Sequence, residues 1–478
     1  MSLTKFVGLL AGSTLTLTGV SYGAAEANND TTAQINQLKA EIASLKAAQG
    51  DQWLTEQRAE QIRGVVQDVL ADSSTRSSFQ GAAATSGYDN GFFLSSADGN
   101  FKLKINALEQ VRFTWGNGYG AAKSNGGGDD PSNNQWGFEN RRTQLFFSGN
   151  VVDPSWKYLV GMAYDSQPDP YVRNTGPDNG YGYAVQGPQF QLYYAQITKD
   201  MGDGFSVTVG QQNVAFTLQS QLFNAGMTQM GEYSLFEYAF GAGQQVGLSA
   251  KWEKDAVRVM GGWYNAIFLP PEAAAANQWN AQNNQGVALA GRGEFKLAGS
   301  WDQFSKESSF KGEEFGLVVG GGIFWQTARQ TNDNPPYGFA PVGITVDANA
   351  KFGGFNLIGQ LIWENSYAFA PNTQDQSTWG FNVQGGAFLT EDLELFGAWN
   401  YNTISTQASN YLQVGANWYF AKNNMKMSVI GTIPVSATAT QQGGDTAYGQ
   451  SYGLLPTGGS GQPVGDNFGL VVQLQLMF

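Results

Sequence analysis

Residues 101–115 read FKLKINALEQVRFTW, and residues 468–478 read FGLVVQLQLMF. In the first stretch Phe101, Leu103, Ile105, Ala107, Val111, Phe113 and Trp115 fall on one side. Lys102, Lys104, Asn106, Gln110, Arg112 and Thr114 fall on the other, the period of two that a strand imposes. Glu109 is the misfit on the apolar side. The last stretch sets Phe468, Leu470, Val472, Leu474, Leu476 and Phe478 against Gly469, Gln473 and Gln475. A soluble sheet would also have one apolar face, so alternation alone does not separate lipid from a protein core. The joints between strands do. Strands read at approximately 101–115, 136–152, 156–166, 189–200, 204–213, 243–253, 255–266, 286–299, 313–328, 342–353, 354–366, 378–389, 392–403, 409–421, 425–433 and 467–478. That is about sixteen, an even number, as bacterial transmembrane barrels carry.

Tight joints such as Asp153-Pro154-Ser155, Gly202-Asp203-Gly204, Lys254-Asp255, Gly353-Gly354, Glu391-Asp392 and Asn423-Asn424 alternate with long stretches rich in Gly, Asn, Pro and Gln. Short turns on one side and long loops on the other mark an outer-membrane barrel. One joint, near Ser300 to Gly312, is too long for its side and reads as an insertion or a misplaced boundary. Closure is a physical demand: an open sheet edge in hydrocarbon leaves every N–H and C=O there unsatisfied, at several kcal/mol each. The predicted fold is all-β, a closed antiparallel transmembrane β-barrel of about sixteen strands behind a short N-terminal helical segment.

Composition agrees. Gly is 62 of 478 residues, aromatics make up 13 % and charged residues only 14 %. The mean hydropathy of -0.29 is too polar for a bundle of membrane-spanning helices. The chain has no Cys and no His, which removes disulfide frameworks, Cys and His metal ligands, and Ser-His or Cys-His nucleophiles. No acid pair stands out among the 39 Asp and Glu, so neither an enzyme nor a bound cofactor or metal is expected. Whether an acidic loop such as Asp129-Asp130 takes up a divalent cation is left open. A net charge of -13 argues against nucleic acid as a partner, because phosphate contacts need clustered Lys and Arg.

The first 25 residues predict a secretory signal: Lys5, an apolar stretch from Phe6 to Val20, and the small residues Gly23-Ala24-Ala25 at a cleavage point near Ala25. Residues 26–75 predict a periplasmic helical extension. Ile35, Leu38, Ile42 and Leu45 alternate steps of three and four, the seam of a coiled coil about two heptads long. A helix that short is marginal alone and forms where several copies are already held together. An amphipathic helix lying on its own protein is the plainer alternative. A second helical pattern runs from Trp53 to Leu70, with Ile62, Val65, Val66 and Val69 on one side. Residues 76–100 read as linker, and the barrel as 101–478.

Several segments resemble the phosphate-selective porin O and P family, especially its forms with an N-terminal coiled coil. The likeness rests on Asn140-Arg141-Arg142, on Val152-Asp153-Pro154-Ser155-Trp156-Lys157-Tyr158, on Gln191-Leu192-Tyr193-Tyr194-Ala195, and on Val209-Gly210-Gln211. It implies an outer-membrane channel surrounded by lipid, a homotrimer, and a constriction made by the third external loop. That loop is here roughly Gln211 to Gln244, with Phe216, Phe223, Glu232, Tyr233, Phe236, Glu237 and Tyr238. An ordinary surface or trimer-contact loop is the alternative for this stretch. Phe478, ending an alternating strand, resembles the signal that outer-membrane assembly machinery recognises. Where the family usually carries Lys and then Pro-Phe after Gly-Gln, this chain has Asn213 and Ala215-Phe216, which separates membership from phosphate specificity.

Extending the alternation places Lys102, Lys104, Arg112, Arg142, Lys251, Arg258, Arg292 and Lys296 on the lumen side, against the acids Glu294, Asp347, Glu364 and Glu394. A basic wall predicts a modest anion preference. Each charge also has a plainer reading as solvated lining. Two further readings stand beside a general diffusion channel. One is a tether to the cell wall through the helical extension. The other is a sugar or nucleoside channel, to which Tyr194, Tyr264 and Phe396 could contribute.

Overall fold

The structure, a computed structural model, describes residues 33–44, 64, 84–117, 134–165, 189–265, 287–327, 339–368, 376–403, 409–436 and 468–478. The chain divides into two compact units, Met1–Ala83 and Ala84–Phe478. In the first, residues 33–44 form a helix on which Ile35, Leu38 and Ile42 of the predicted seam are exposed. The secretory segment, Leu45, all of the Trp53 to Leu70 pattern but residue 64, and Asp129-Asp130 lie outside the described residues. No described helix is long and apolar enough to cross a membrane.

The second unit opens on an antiparallel hairpin, β1 (Thr85–Tyr88) and β2 (Phe92–Ser95), inside the stretch read as linker. β2 then pairs with the start of β3 (Lys102–Asn117). The wall continues through β4 (Asn134–Val151), β5 (Asp153–Asp165), β6 (Gln189–Gly202), β7 (Phe205–Asn213), β8 (Gln244–Lys254) and β9 (Val257–Asn265). After these come β10 (Val287–Ala298), β11 (Gly316–Gln326), β12 (Phe339–Lys351), β13 (Phe355–Ala368) and β14 (Gln376–Phe388). The circuit ends with β15 (Leu393–Asn402), β16 (Ser409–Tyr419), β17 (Met425–Ser436) and β18 (Phe468–Met477). Each strand from β3 on pairs antiparallel with the next, and β18 returns to β3, with Met477 opposite Leu108 and Phe468 opposite Asn117. Sixteen strands therefore close on themselves, as the alternation and the physics of unsatisfied edges predict.

The two faces of the wall separate by parity. On β13, Leu357 and Leu361 point out and are exposed, whereas Ile358, Gln360 and Ile362 point in and are buried. Indole N–H groups on the outer face find polar neighbours: Trp363 Nε1 donates to Ser377 Oγ at 2.8 Å and Trp399 Nε1 to Asn410 Oδ1 at 2.6 Å. Aromatic rings with a polar tip of this kind suit the membrane–water boundary. Glu109, the misfit, stays on the outward side and accepts from Thr143 Oγ1, which in turn accepts from Asn140. In the turn between β6 and β7, Asp203 and Gly204 take φ of 49° and 78°, as a two-residue hairpin requires. A Cβ on Gly204 would lie 1.9 Å from the Glu253 carbonyl oxygen.

The doubtful joint is an insertion. Between β10 and β11 the chain forms a 3-10 turn, Trp301–Ser305, and then runs into the barrel, where Glu307, Ser308, Ser309 and Phe310 are buried. β10 ends at the short-turn end of the barrel, so this segment enters from the side opposite the long loops.

Candidate functional site

Residues 214–243, between β7 and β8, form the inward loop. It contains short 3-10 turns at Gln219–Gln221 and Ala225–Met227 and a helical turn, α1 (Leu235–Phe240). Ser234 caps α1, its Oγ accepting from Glu237 N at 3.1 Å. The loop is held by apolar burial. Val214, Phe216, Phe236, Phe240 and Ala242 pack with Tyr264, Ala288, Ala290, Phe324 and Ile362, and Met230 and Leu235 with Phe396, Ala398, Tyr411, Ile430 and Val471. Those wall residues point inward, so a hydrated lumen would leave them wet. The loop removes that area from water, at about 25 cal/mol per Å². Contact is close enough that a Cβ on Gly322 would lie 2.3 Å from the Phe216 carbonyl oxygen.

Ion pairs fix the loop's position. Glu232 is 1 % exposed and receives Arg141 Nε at 2.8 Å, Arg142 Nη2 at 2.5 Å and Arg112 Nη1 at 3.4 Å, with Tyr238 donating its hydroxyl. Arg112 also pairs with Glu139. Burial alone would raise the Glu232 carboxyl, but Arg141, then Arg142 and Arg112, overcome it and hold the group well below the usual carboxylate range. Consecutive arginines cannot both face inward on a regular strand. A register shift opposite Gln110 and Val111 supplies the extra residue, so Arg141 and Arg142 are both buried while Asn140 stays exposed.

A second network runs along the wall. Lys251 pairs with Glu253 at 2.9 Å, Glu253 with Arg258 at 2.8 Å and Arg258 with Glu294 at 3.0 Å. Arg292 joins Glu294 at 2.9 Å and Asp347 through two bonds of 2.7 Å. Lys296 and Arg258 lie over the Trp301 ring of the inserted turn, at 5.1 and 4.0 Å. Lys102 lies over Phe93 of the hairpin, and Lys104 stands opposite Phe93 and Ser148. Glu394 is fully buried, accepting from Gln229 Nε2, Asn417 Nδ2 and Tyr419 OH. Glu364, 8 % exposed, faces Gly343 and Thr378 across its neighbouring strands.

Of the loop residues the sequence singles out, Phe216, Glu232 and Glu237 are seated against the wall, with Glu237 Oε1 accepting from Thr217 Oγ1 at 2.8 Å. Burial pushes the Glu237 carboxyl up to about 7, the Thr217 bond offsetting part of it. Phe223 packs on Phe146 and Tyr194, and Tyr233 lies beneath Arg142. Four further residues carry the site without having been singled out: Arg141, Lys351, Lys426 and Glu307. Lys351 and Lys426 were legible, since strict alternation puts both on inward positions. Lys351 Nζ donates to the carbonyls of Lys306, Glu307 and Ser308, and Lys426 Nζ to that of Thr228 at 2.6 Å. An open cavity of ≈ 710 Å³ lies between the loop and the wall of β5 to β9. Tyr194, Thr198, Gln212, Tyr264, Lys157 and Lys251 are among the residues that line it.

A sixteen-stranded closed barrel, apolar outside and polar inside, with a loop folded across its bore, is the build of an outer-membrane porin, a passive diffusion channel. The resemblance read from the sequence holds over a defined stretch: the profile of the phosphate-selective porin O and P family matches residues 111–309. Among solved structures the chain is similar to an anion-selective porin from Comamonas acidovorans, at 12 % identity and a TM-score of 0.49, covering 79 % of this chain and 99 % of that one. It is similar also to the outer membrane channel DcaP of Acinetobacter baumannii, at 12 % identity and TM-score 0.44, with 79 % and 97 % covered. For Salmonella typhi OmpF in complex with daunomycin the figures are 13 %, 0.45, 82 % and 100 %. No curated protein matches the chain.

Proposed function

We propose that this porin is a general channel for small hydrophilic solutes and ions, with at most a weak preference for anions and no dedicated phosphate site. The observation that carries this reading is the pairing of the inward charges. Arg112, Arg141, Arg142, Arg258 and Arg292 each have a carboxylate within 3.4 Å. A phosphate would have to displace those carboxylates, whereas a selective site keeps donors free for its anion. In the open cavity Lys157 pairs with Asp200 at 3.1 Å and Lys251 with Glu253, leaving little net charge along the path. Single-channel recordings in a KCl gradient test it: the reversal potential is expected near zero with a slight anion sign, and adding phosphate should leave the chloride current unblocked. A strongly cation-selective channel, or a chloride current blocked by micromolar phosphate, overturns the reading.

We also propose a homotrimer with the helical extension in the periplasm. The exposed seam of Ile35, Leu38 and Ile42 supports self-association, and so does the outward patch of β3 and β4. There Glu109 is bonded to Thr143, and farther along the same two strands Trp136 and Phe138, opposite Trp115 and Phe113, are 70 % and 80 % exposed. A carboxylate facing hydrocarbon is costly, and a neighbouring copy would cover it.

A further inference from the structure

The inserted turn and the inward loop reach each other inside the barrel from opposite ends. We propose that Glu307, at the tip of the turn, is a positioning residue that holds the loop across the bore and so sets the width of the passage left along β5 to β9. The inference rests on the channel reading above.

The contacts are specific and buried. Glu307 Oε1 accepts from Gln219 Nε2 at 2.5 Å, and Oε2 accepts from the Gln229 backbone N–H at 2.7 Å; both donors belong to the loop. Oε2 also accepts from Gln384 Nε2 of β14 at 2.9 Å, and the Glu307 N–H donates to the Met227 carbonyl at 3.0 Å. One side chain therefore ties three segments: the turn, the loop and the wall. The turn is itself anchored. Lys351 Nζ, on a fully buried side chain, holds three consecutive carbonyls at 2.8 to 3.0 Å, and Phe310 packs between Phe388 and Tyr419. Ser308 Oγ sits 2.8 Å from Tyr419 OH and 3.2 Å from Glu394. Glu394 in turn holds Gln229 of the loop, so the same loop residue is gripped from turn and wall.

Geometry assigns the consequence. Gln219 and Gln229 lie on either side of Ser220, Gln221, Leu222, Phe223 and Met227, loop residues that border the open cavity. Releasing Glu307 loosens that edge of the loop, leaving Gln229 on its bonds to Glu394 and Asn356 of the wall, while the apolar seat at Phe216, Phe236 and Phe240 stays attached. The loop is then expected to swing at its free edge rather than leave the bore, and the passage widens.

The test compares wild type, Glu307→Ala and Glu307→Gln in planar bilayers, with heat-modifiable migration on gels as the check that each barrel is closed. Loss of buried bonds to a carboxylate raises the undocked population by about tenfold or more. Chymotrypsin cleavage within residues 214–243 should rise in Glu307→Ala by a similar factor, roughly tenfold, since cleavage follows the open population. Larger unit conductance and open-channel noise should accompany it. Glu307→Gln keeps one acceptor oxygen and should restore most of the wild-type conductance, which a mere loss of stability would not predict. A second variant, with residues 301–312 replaced by a two-residue turn, should widen the channel in the same direction. Wild-type conductance, noise and cleavage in Glu307→Ala, with a closed barrel, overturn the proposal. A wild type that conducts no ions would instead remove the channel reading itself.

Discussion

Glu232 gathers three guanidinium groups in a place where none of them could be left alone. At 1 % exposure a carboxylate is costly unless it is paired, and the same holds for Arg112, Arg141 and Arg142, which are buried with it. The four are mutually dependent: each arginine is acceptable because the loop brings Glu232, and the loop stays because the wall brings the arginines. Removing one partner of such a buried pair costs roughly 3–5 kcal/mol, more than the net worth of the pair, because the other charges remain uncompensated. Glu232→Ala should therefore loosen the loop and also uncover positive charge in the bore. The measurable result is a reversal potential moved toward anions together with a larger conductance. A variant that keeps both values would mean that Arg112, Arg141 and Arg142 do not face the ion path even when released. The sequence placed Arg112 and Arg142 in the lumen and Glu232 in the constriction loop, but not Arg141. Alternation assigns neighbours to opposite faces, and a bulge, which has no composition signal of its own here, is what breaks the rule.

At the scale of elements, strands were the most legible feature and inward segments the least. A strand in a lipid-facing wall obeys one local rule along its length, so sixteen of them could be read from period two. The inward loop was readable by its apolar weight, Phe216, Phe223 and Phe236 with Tyr233 and Tyr238 being too many for a solvated loop. The inserted turn carried no comparable weight, and its role depends on partners far away in sequence: Glu307 meets residues 219, 229 and 384. Such contacts are invisible to any local pattern. The loop also has a pH dependence of definite sign. Glu237 sits near Arg292, Glu307 and Asp347, and burial raises its carboxyl to about 7, above the ordinary 4.5. The docked state then binds the proton more tightly than the released one, so docking is favoured most below the ordinary carboxylate range. That advantage fades as pH climbs through about 7. Chymotrypsin cleavage of the loop should rise between pH 5 and 8 in wild type, and Glu237→Gln should flatten the profile at its low-pH level. A profile in Glu237→Gln as steep as the wild type's would assign the titration to another group.

For the whole molecule, closure is accomplished within the second unit. The barrel closes where the last residue meets β3: Ala107 N–H donates to the Phe478 carbonyl at 2.8 Å and Phe478 N–H to the Ala107 carbonyl at 3.1 Å. The Phe478 ring packs edge-on against Phe92 of the hairpin, 5.8 Å between centroids, so the chain's end is fastened to the strand that precedes the wall. None of this requires the segment before residue 84, which forms a unit of its own. The exposed seam on residues 33–44 is too short to hold copies together unaided, but in the proposed oligomer the helices would be at high effective concentration and would add to its stability. A chain lacking residues 26–75 should therefore close its barrel and conduct as the full chain does, while its oligomer dissociates at a lower temperature on a native gel. Loss of conductance would make the extension part of the channel. An oligomer of undiminished heat resistance, in cells whose outer membrane detaches from the wall, would mean that the seam serves a cell-wall tether and not a second copy of the chain.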